Sequence, residues 1–148
     1  MSKEFNPTRK EKFTVPQALA VLLFFGVVLV AMAVMLNHAR ALNRDIKRLA
    51  DVAILQSALE LYFQDCSAYP KKVVSGQPLS AEVCRGGIHL REVPFDPSGD
   101  SYKYLPCEGL EENRNCAENV AFPTSYVLGY ELERGVDNVA AGRYTVKP

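Results

Sequence analysis

Four cysteines give the clearest chemical pattern in the sequence. Cys66, Cys84, Cys107 and Cys116 include no C-x-x-C pair, so their spacing argues against a zinc site. An even number of cysteines in a small domain favours disulfide bonds formed in an oxidising compartment, with reduced core thiols as the alternative. Pairing sequence neighbours closes the shortest loops, and we therefore predict the disulfides Cys66–Cys84 and Cys107–Cys116.

The remaining polar residues do not form a catalytic pattern. An enzyme would need a nucleophile with a base, or a converging set of metal ligands. Of the two histidines, His38 directly follows a long apolar run, and the membrane interface explains it. His89 lies close to Gly86 and Gly87, with no Ser or Cys pattern that would make it a base. We predict no catalytic residue and no enzyme.

Two residues near the C-terminus offer oxygen ligands for calcium. Asp137 and Asn138 lie between Gly135 and Gly142. Calcium usually takes about six to eight oxygen ligands, and the EF-hand spacing is not present here. A plain turn explains the pair better. We therefore predict no metal site and no cofactor, with calcium at this turn as the weaker alternative.

The charges are divided unevenly along the chain. The 17 Lys and Arg residues balance the 17 Asp and Glu residues, yet residues 1–50 are net basic and residues 51–148 are net acidic. A nucleic-acid-binding domain usually has a basic balance over the whole domain. We therefore predict no nucleic-acid partner.

A membrane-spanning helix is predicted near the N-terminus. From Ala18 to Leu36 no side chain is polar. At about 1.5 Å per residue, this run covers most of the ~30 Å hydrocarbon layer. It is longer than the apolar core of a signal peptide, ~7–15 residues, although Ala39-Arg40-Ala41 resembles a cleavage site. We predict a basic leader over residues 1–14 and a transmembrane helix over residues 15–36, with membrane lipid as its surroundings.

The start of this helix and its orientation follow from flanking residues. Thr14 and Gln17 fit a capping box in which both side chains cover free backbone N–H groups, and Pro16 is tolerated in the first turn. Basic residues are equally frequent on both sides of the span, so positive-inside counting does not orient it. The cysteines place the C-terminal part outside. We predict a single-pass protein of the inner or plasma membrane, with a cytoplasmic N-terminus and an extracytoplasmic head.

The helix is predicted to continue beyond the membrane over residues 37–65. No Gly or Pro occurs between Leu36 and Pro70. Two apolar stripes recur at helical spacing. The upper stripe, predicted to underlie the head, is Val52, Leu55, Leu59 and Tyr62. The lower stripe, with no expected cover within the chain and therefore assigned to helix–helix packing, is Leu42, Ile46, Leu49 and Ala53. The basic residues on the other faces of this segment, Arg40, Arg44, Lys47 and Arg48, are expected to meet lipid head groups or acidic neighbours.

The head, residues 66–148, begins as a Gly- and Pro-rich connection and ends in strands. Asp96-Pro97-Ser98-Gly99 has the signature of a type I turn. Alternating patterns predict three strands, at Ser101–Leu105, Tyr126–Leu132 and Arg143–Val146. The predicted fold is α+β, with a long N-terminal helix packed under a small three-stranded antiparallel sheet.

The order of these features resembles that of type IV pilin-like proteins, and most of all the pseudopilins of type II secretion systems. The resemblance lies in the apolar helix, the segment Asp51–Tyr62, Tyr69-Pro70, Val93–Pro97 and the run Ser125–Glu133. It implies a pilin-like fold and a structural subunit of a type IV pilus or a secretion filament. Its partners would be other pilin-like subunits or copies of itself.

Two residues at the N-terminus depart from the pattern of this family. Prepilins are cut after a Gly that precedes Phe-Thr. Here the candidate cleavage junction is Lys12–Phe13, and Lys12 stands where the family has the Gly. Gln17 stands where the family has a Glu that pairs with the terminal amine of a neighbouring subunit. A neutral Gln17 can form a hydrogen bond but cannot neutralise an ammonium group. The alternative function is therefore an uncleaved, membrane-anchored extracytoplasmic binding module outside any filament.

Overall fold

The computed structural model describes residues 14–84, 86–109 and 115–148. The chain divides into two compact units, Met1–Ala39 and Arg40–Pro148. The described residues contain one long helix and two antiparallel sheets, so the fold is α+β as predicted.

The helix α1 extends over Val15–Cys66. Its start is capped by Gln17, whose Oε1 atom accepts the Thr14 N–H at 3.0 Å and the Thr14 hydroxyl at 2.9 Å. The predicted capping box is therefore half formed, because the Thr14 hydroxyl donates to Gln17 instead of accepting a backbone N–H. The helix ends one residue later than predicted, where Ser67 takes a positive φ of 54° and its N–H bonds to the Phe63 carbonyl.

The N-terminal unit consists, in its described residues, of the first part of α1. Among the described helices, α1 is long and apolar enough to cross a membrane, and its apolar window has no residue buried within the chain. Leu22, Phe24 and Val30 are each about two-thirds exposed. A surface of this kind fits a hydrocarbon environment, and the chain is consistent with membrane anchoring.

The second unit contains a four-stranded antiparallel sheet. Its strands are β3 (Lys103–Glu108), β4 (Asn115–Cys116), β5 (Ser125–Val136) and β6 (Val139–Val146), and they lie side by side in the order β4-β3-β5-β6. A second, two-stranded sheet joins β1 (Leu79–Ser80) to β2 (Ile88–Leu90), and a short 3-10 helix, Glu82–Cys84, lies between them.

The prediction of three strands in the main sheet was therefore one strand short. The added strand β4 has two residues and no alternating pattern, and it pairs with β3 where Cys107 faces Cys116. Boundaries also differ, since β3 begins at Lys103 instead of Ser101 and β6 begins at Val139 instead of Arg143. Small residues at Ala140, Ala141 and Gly142 give β6 little of the alternation that marks a strand.

A tight two-residue turn joins β5 to β6. Val136 pairs with Val139, so Asp137 and Asn138 form the turn, and Asp137 has a φ of 50°. Asp and Asn favour such turns because they tolerate a positive φ. Among the described residues no group of three or more His, Cys, Asp or Glu side chains could hold a metal ion.

The core of the head lies between α1 and the sheet. Val52, Leu55 and Leu59 of α1 are buried, as the upper stripe predicted, against the sheet residues Tyr126 and Leu128. Tyr62 is half-buried at the edge of this core. Tyrosine hydroxyls tie the head to the helix, since Tyr102 donates to Asp51 and Tyr69 donates to Glu60, each at 2.9 Å.

Two disulfides close the predicted loops. Cys66 bonds to Cys84, and Cys107 bonds to Cys116, which leaves no free cysteine. The first joins the last turn of α1 to the 3-10 helix. The second joins β3 to β4, so each bond anchors one short element, the 3-10 helix of three residues or β4 of two residues.

Candidate functional site

A buried carboxylate lies at the centre of an ion cluster between α1 and the end of β5. Asp45 is fully buried. Its side chain accepts three consecutive backbone N–H groups, those of Glu133, Arg134 and Gly135, at 2.9, 2.8 and 3.0 Å. It also accepts Arg48 at 2.9 Å from the same helix. The irregular register between Leu132 and Gly135 turns these three N–H groups toward the helix.

Arg48 connects this carboxylate to two other parts of the head. Its guanidinium donates to Asp96 at 2.7 and 2.9 Å, to the Ser98 hydroxyl at 2.7 Å and to Glu133 at 2.8 Å. Arg44 pairs with Glu133 as well, with its Nε atom 2.8 Å from Oε1. Two helix arginines thus bind the turn at Asp96 and the strand at Glu133.

The cluster favours the charged form of each of its members. Burial would raise the pKa of Asp45, but the three backbone donors and Arg48 hold it below its ordinary value. Arg48 likewise outweighs burial at Asp96 and lowers its pKa. The hydrogen bond from Arg44 lowers the pKa of Glu133 to about 2. Asp96 raises the pKa of Arg48 further above its ordinary value. Because these charges are paired with each other, we assign the cluster to holding the head on the helix.

The sequence analysis did not predict this ion cluster, nor that the head would cover the middle of α1. The middle of α1 was expected to have no cover within the chain, but Ala41, Asp45 and Arg48 are buried there. Arg44 and Arg48 were expected to meet lipid or neighbouring subunits, and they meet the chain's own head. One sequence feature could have indicated the cluster. Asp45 and Arg48 are spaced at i and i+3 on a helix face next to the lower stripe, and Glu133 was an acidic residue with no predicted role.

A cleft opens beside the cluster, at the beginning of β3 and along β5 and β6. Its volume is about 490 Å³, and it is bounded by Arg48 and Asp96 on one side and by sheet residues on the other. The rings of Tyr130 and Tyr144 stack along it with centroids 5.6 Å apart. A mostly apolar cleft with convergent polar groups is the form that small-molecule sites usually take.

The opposite side of α1 presents an uncharged face to solvent. Six exposed residues between Ile46 and Leu61 form this helix face: Ile46, Ala50, Ala53, Ile54, Ser57 and Leu61. Ile46 and Ile54 are each 48% exposed and Leu61 is 47% exposed. Lys47 is the sole exposed charged residue in this fully described stretch. A shallow apolar groove of about 330 Å³ lies between this face and β2.

The lower stripe named from sequence overlaps the helix face in part. Ile46 and Ala53 belong to it, whereas Leu42 and Leu49 are half-buried at its margin. The structure adds Ile54 and Leu61, which extend the apolar surface toward the end of the helix. Packing of these residues against another helix stays a prediction. Lys12 and Phe13, the candidate cleavage junction, lie outside the described residues.

Comparisons with protein-family models, with curated proteins and with solved structures gave no match. The pilin-like assignment therefore depends on the residues that carry the resemblance.

Proposed function

We propose that the protein is a single-pass membrane subunit of the pilin-like type, most similar to the pseudopilins of type II secretion systems. Its helix packs laterally against the helices of other pilin-like subunits or of copies of itself. The N-terminus is cytoplasmic and the disulfide-bonded head is extracytoplasmic, in the inner or plasma membrane. The observation that carries this proposal is the uncharged helix face between Ile46 and Leu61.

Burial of the helix face would favour association. Ile46, Ile54 and Leu61 each keep about half of their surface in water. Since complete burial of such a side chain is worth ~1.5–3 kcal/mol, covering the remaining half contributes roughly 1 kcal/mol per residue. The small residues Ala50 and Ser57 lie between them and let a second helix approach closely. The charged residues on the other side of the helix are already paired with residues of the head. They therefore do not compete for a second helix.

Cysteine crosslinking in membranes tests this packing. Single substitutions Ile46→Cys, Ala50→Cys and Ser57→Cys place a thiol on the helix face in the full-length chain. We expect each to form crosslinks between chains under mild oxidation, either with itself or with a cysteine on the helix of a co-expressed pilin-like protein. Lys71→Cys and Glu92→Cys are exposed control positions on the head, and they should crosslink much less.

Equal crosslinking at the face and the control positions would contradict lateral helix packing, and so would none at either. Peptide mapping of the non-reduced protein confirms in each variant that the two native disulfides are intact. A loss of native pairing would remove that variant from the comparison.

The cleft beside the ion cluster favours a second candidate function, an uncleaved membrane-anchored binding module. Its stacked pair Tyr130 and Tyr144 lines a concave surface that helix packing does not use. The two functions differ at the N-terminus of protein isolated from membranes. Phe13 as the first residue supports a processed subunit, whereas Met1 supports the uncleaved module.

A further inference from the structure

The cleft beside the ion cluster has two aromatic rings on the helix-facing side of the sheet. Tyr130 lies on β5 between Leu128 and Leu132, which are 1% and 2% exposed in the core. Since the side chains of a strand alternate between its two faces, Tyr130 shares the face of these leucines. Its cross-strand partner is Tyr144, and both residues are half-buried. The two rings stack at an interplanar angle of 23° and form a flat wall of the cleft.

The ring of Tyr144 keeps one face free of neighbouring strands. Its other face lies on Tyr130, and β6 pairs with β5 alone among the described strands. The Tyr144 hydroxyl donates to the Ala140 carbonyl at 2.8 Å, which holds the ring along the strand. The face of an aromatic ring carries partial negative charge and attracts cations.

The ion cluster next to these rings has one carboxylate in excess. It contains the carboxylates of Asp45, Asp96 and Glu133 and the guanidinium groups of Arg44 and Arg48. Asp45 is satisfied largely by three backbone N–H groups, which bring no full positive charge. The two guanidinium groups therefore neutralise only two of the three carboxylates of the cluster.

A further carboxylate borders the cleft without a counterion. Asp100 is exposed, and its side chain has no ion pair or hydrogen bond among the described residues. The Asp96 N–H donates to the Asp100 carbonyl at 2.9 Å, which holds this loop next to the cluster. Both carboxylate oxygens of Asp100 are thus free to accept hydrogen bonds from a ligand.

The two other basic residues at the cleft lie on the opposite face of the sheet. Lys103 pairs with Gly129, and a Cβ at Gly129 would lie 3.5 Å from the Lys103 Cβ, so the two residues share a face. Tyr130 follows Gly129 in the strand and takes the other face. Arg143 is paired with Glu131 at 3.1 Å, also away from the rings. The ring side of the cleft therefore has more negative than positive charge.

An acidic ligand would find no free donor at Arg48. A guanidinium has five N–H groups. Arg48 makes five hydrogen bonds: one each to Asp45, Glu133 and Ser98, and two to Asp96. The buried arginine at this cleft is therefore fully used within the head.

We propose that the cleft binds an organic cation with a guanidinium group, which stacks on the Tyr130–Tyr144 pair and takes Asp100 as its counterion. A guanidinium is planar, stacks on aromatic faces and is more weakly hydrated than an ammonium. Its fork of N–H groups matches the two oxygens of a carboxylate. This inference rests on the second candidate function, the binding module, and makes no use of the helix face.

Binding of N-acetyl-L-arginine amide to the full-length chain in lipid nanodiscs tests the proposal. In protein with ¹³C-labelled tyrosine rings, we expect saturable shifts of the Tyr130 and Tyr144 resonances, which Tyr130→Phe and Tyr144→Phe variants assign. N-acetyl-L-citrulline amide has nearly the same shape without the charge, and it should bind at least about tenfold more weakly.

Two pairs of variants locate the site. Asp100→Asn removes the counterion and should weaken binding at least about fivefold. Glu92→Gln, which removes an exposed carboxylate outside the cleft, is its control and should leave binding unchanged. Tyr144→Leu removes the aromatic face and should weaken binding at least about fivefold, whereas Tyr144→Phe keeps that face and should bind like the parent. Intact native disulfides and unchanged shifts of the other tyrosines show that each variant is folded.

A peptide with a single arginine between Gly and Ser residues distinguishes the two sources of a guanidinium group. Binding at least about tenfold tighter than that of the arginine amide assigns the site to an arginine of another polypeptide, since the peptide backbone then adds contacts. Equal binding assigns the site to a free guanidinium compound.

Three results would overturn the proposal: no saturable shift with the arginine amide, equal binding of the arginine and citrulline probes, or unchanged binding in both Asp100→Asn and Tyr144→Leu. None of them bears on the N-terminal residue or on the helix crosslinks, so failure here is distinguishable from failure of the proposed function.

Discussion

At the scale of single residues, Asp45 does the most to join the parts of the head. Its carboxylate binds three N–H groups of β5 and the guanidinium of Arg48, and it has no exposed surface. Such a group is favourable only while its partners are complete, because an unpaired donor or charge in this site cannot return to water. The residue is therefore a point at which a small change has a large effect.

Asp45→Ala should destabilise the folded protein by about 3–5 kcal/mol, since it leaves three backbone donors and part of Arg48 without an acceptor. The measurement is chemical unfolding of the protein with its disulfides intact. Glu131→Ala is the control, because it removes an exposed ion pair with Arg143 and should cost less than about 1 kcal/mol. Similar losses of unfolding free energy in both variants would contradict a stabilising role of the buried cluster.

The same carboxylates predict a loss of stability in acid. Asp45, Asp96 and Glu133 have a lower pKa in the folded state than their ordinary values of 3.8 and 4.5. The unfolded chain therefore binds more protons as the pH falls, and stability declines in that direction. We expect the free energy of unfolding to be nearly constant from pH 7 to about pH 5. It should then fall toward pH 2, where the pKa of Glu133, about 2, is reached.

The pH dependence has a variant that isolates the cluster. Arg48→Met removes the cation that contacts all three carboxylates, and the decline in stability should become shallower. An unaltered slope in Arg48→Met would assign acid sensitivity to carboxylates elsewhere in the chain.

At the scale of elements, α1 serves a different purpose on each side. One side holds the core residues Leu55 and Leu59 together with Asp45 and Arg48, and the other is the uncharged helix face. Such a helix cannot be described by one apolar stripe, because a charged row packs on the head while an apolar row remains in solvent.

At the scale of the whole molecule, the position of Asp45 sets the N-terminal limit of the folded head. The upper stripe alone suggests a boundary near Asp51, and the structure moves it to Arg40, where the second compact unit begins. We expect the fragment Arg40–Pro148 to be soluble and to unfold cooperatively. The fragment Asp51–Pro148 lacks Asp45 and Arg48 and should be less stable by ~3 kcal/mol or more.

Thermal unfolding of the two fragments, with native disulfides verified, measures this difference. Equal stability would mean that the head needs only its apolar core. An insoluble Arg40–Pro148 fragment would instead show that the exposed helix face must be covered before the head can exist in water.

The sequence alone predicted the features that depend on local pattern. Nineteen apolar positions without a polar side chain predicted the span, helical spacing predicted Leu55 and Leu59 in the core, and short loops predicted both cysteine pairs. Each is a property of residues close together in the chain. Side-chain periodicity and loop length therefore suffice to recognise them.

Tertiary structure decided what depends on residues distant in sequence. The Asp45 carboxylate accepts three backbone N–H groups where β5 has an irregular register. Arg48 pairs with Asp96 and Glu133, which are far from it in the sequence. The short strand β4 is held in place by its disulfide and by its pairing with β3. The two residues of β4 have no sequence pattern that would predict a strand. The sequence pattern of a charged residue on a helix is the same whether its partner is lipid, another subunit or its own head. The partner is determined only by the folded structure.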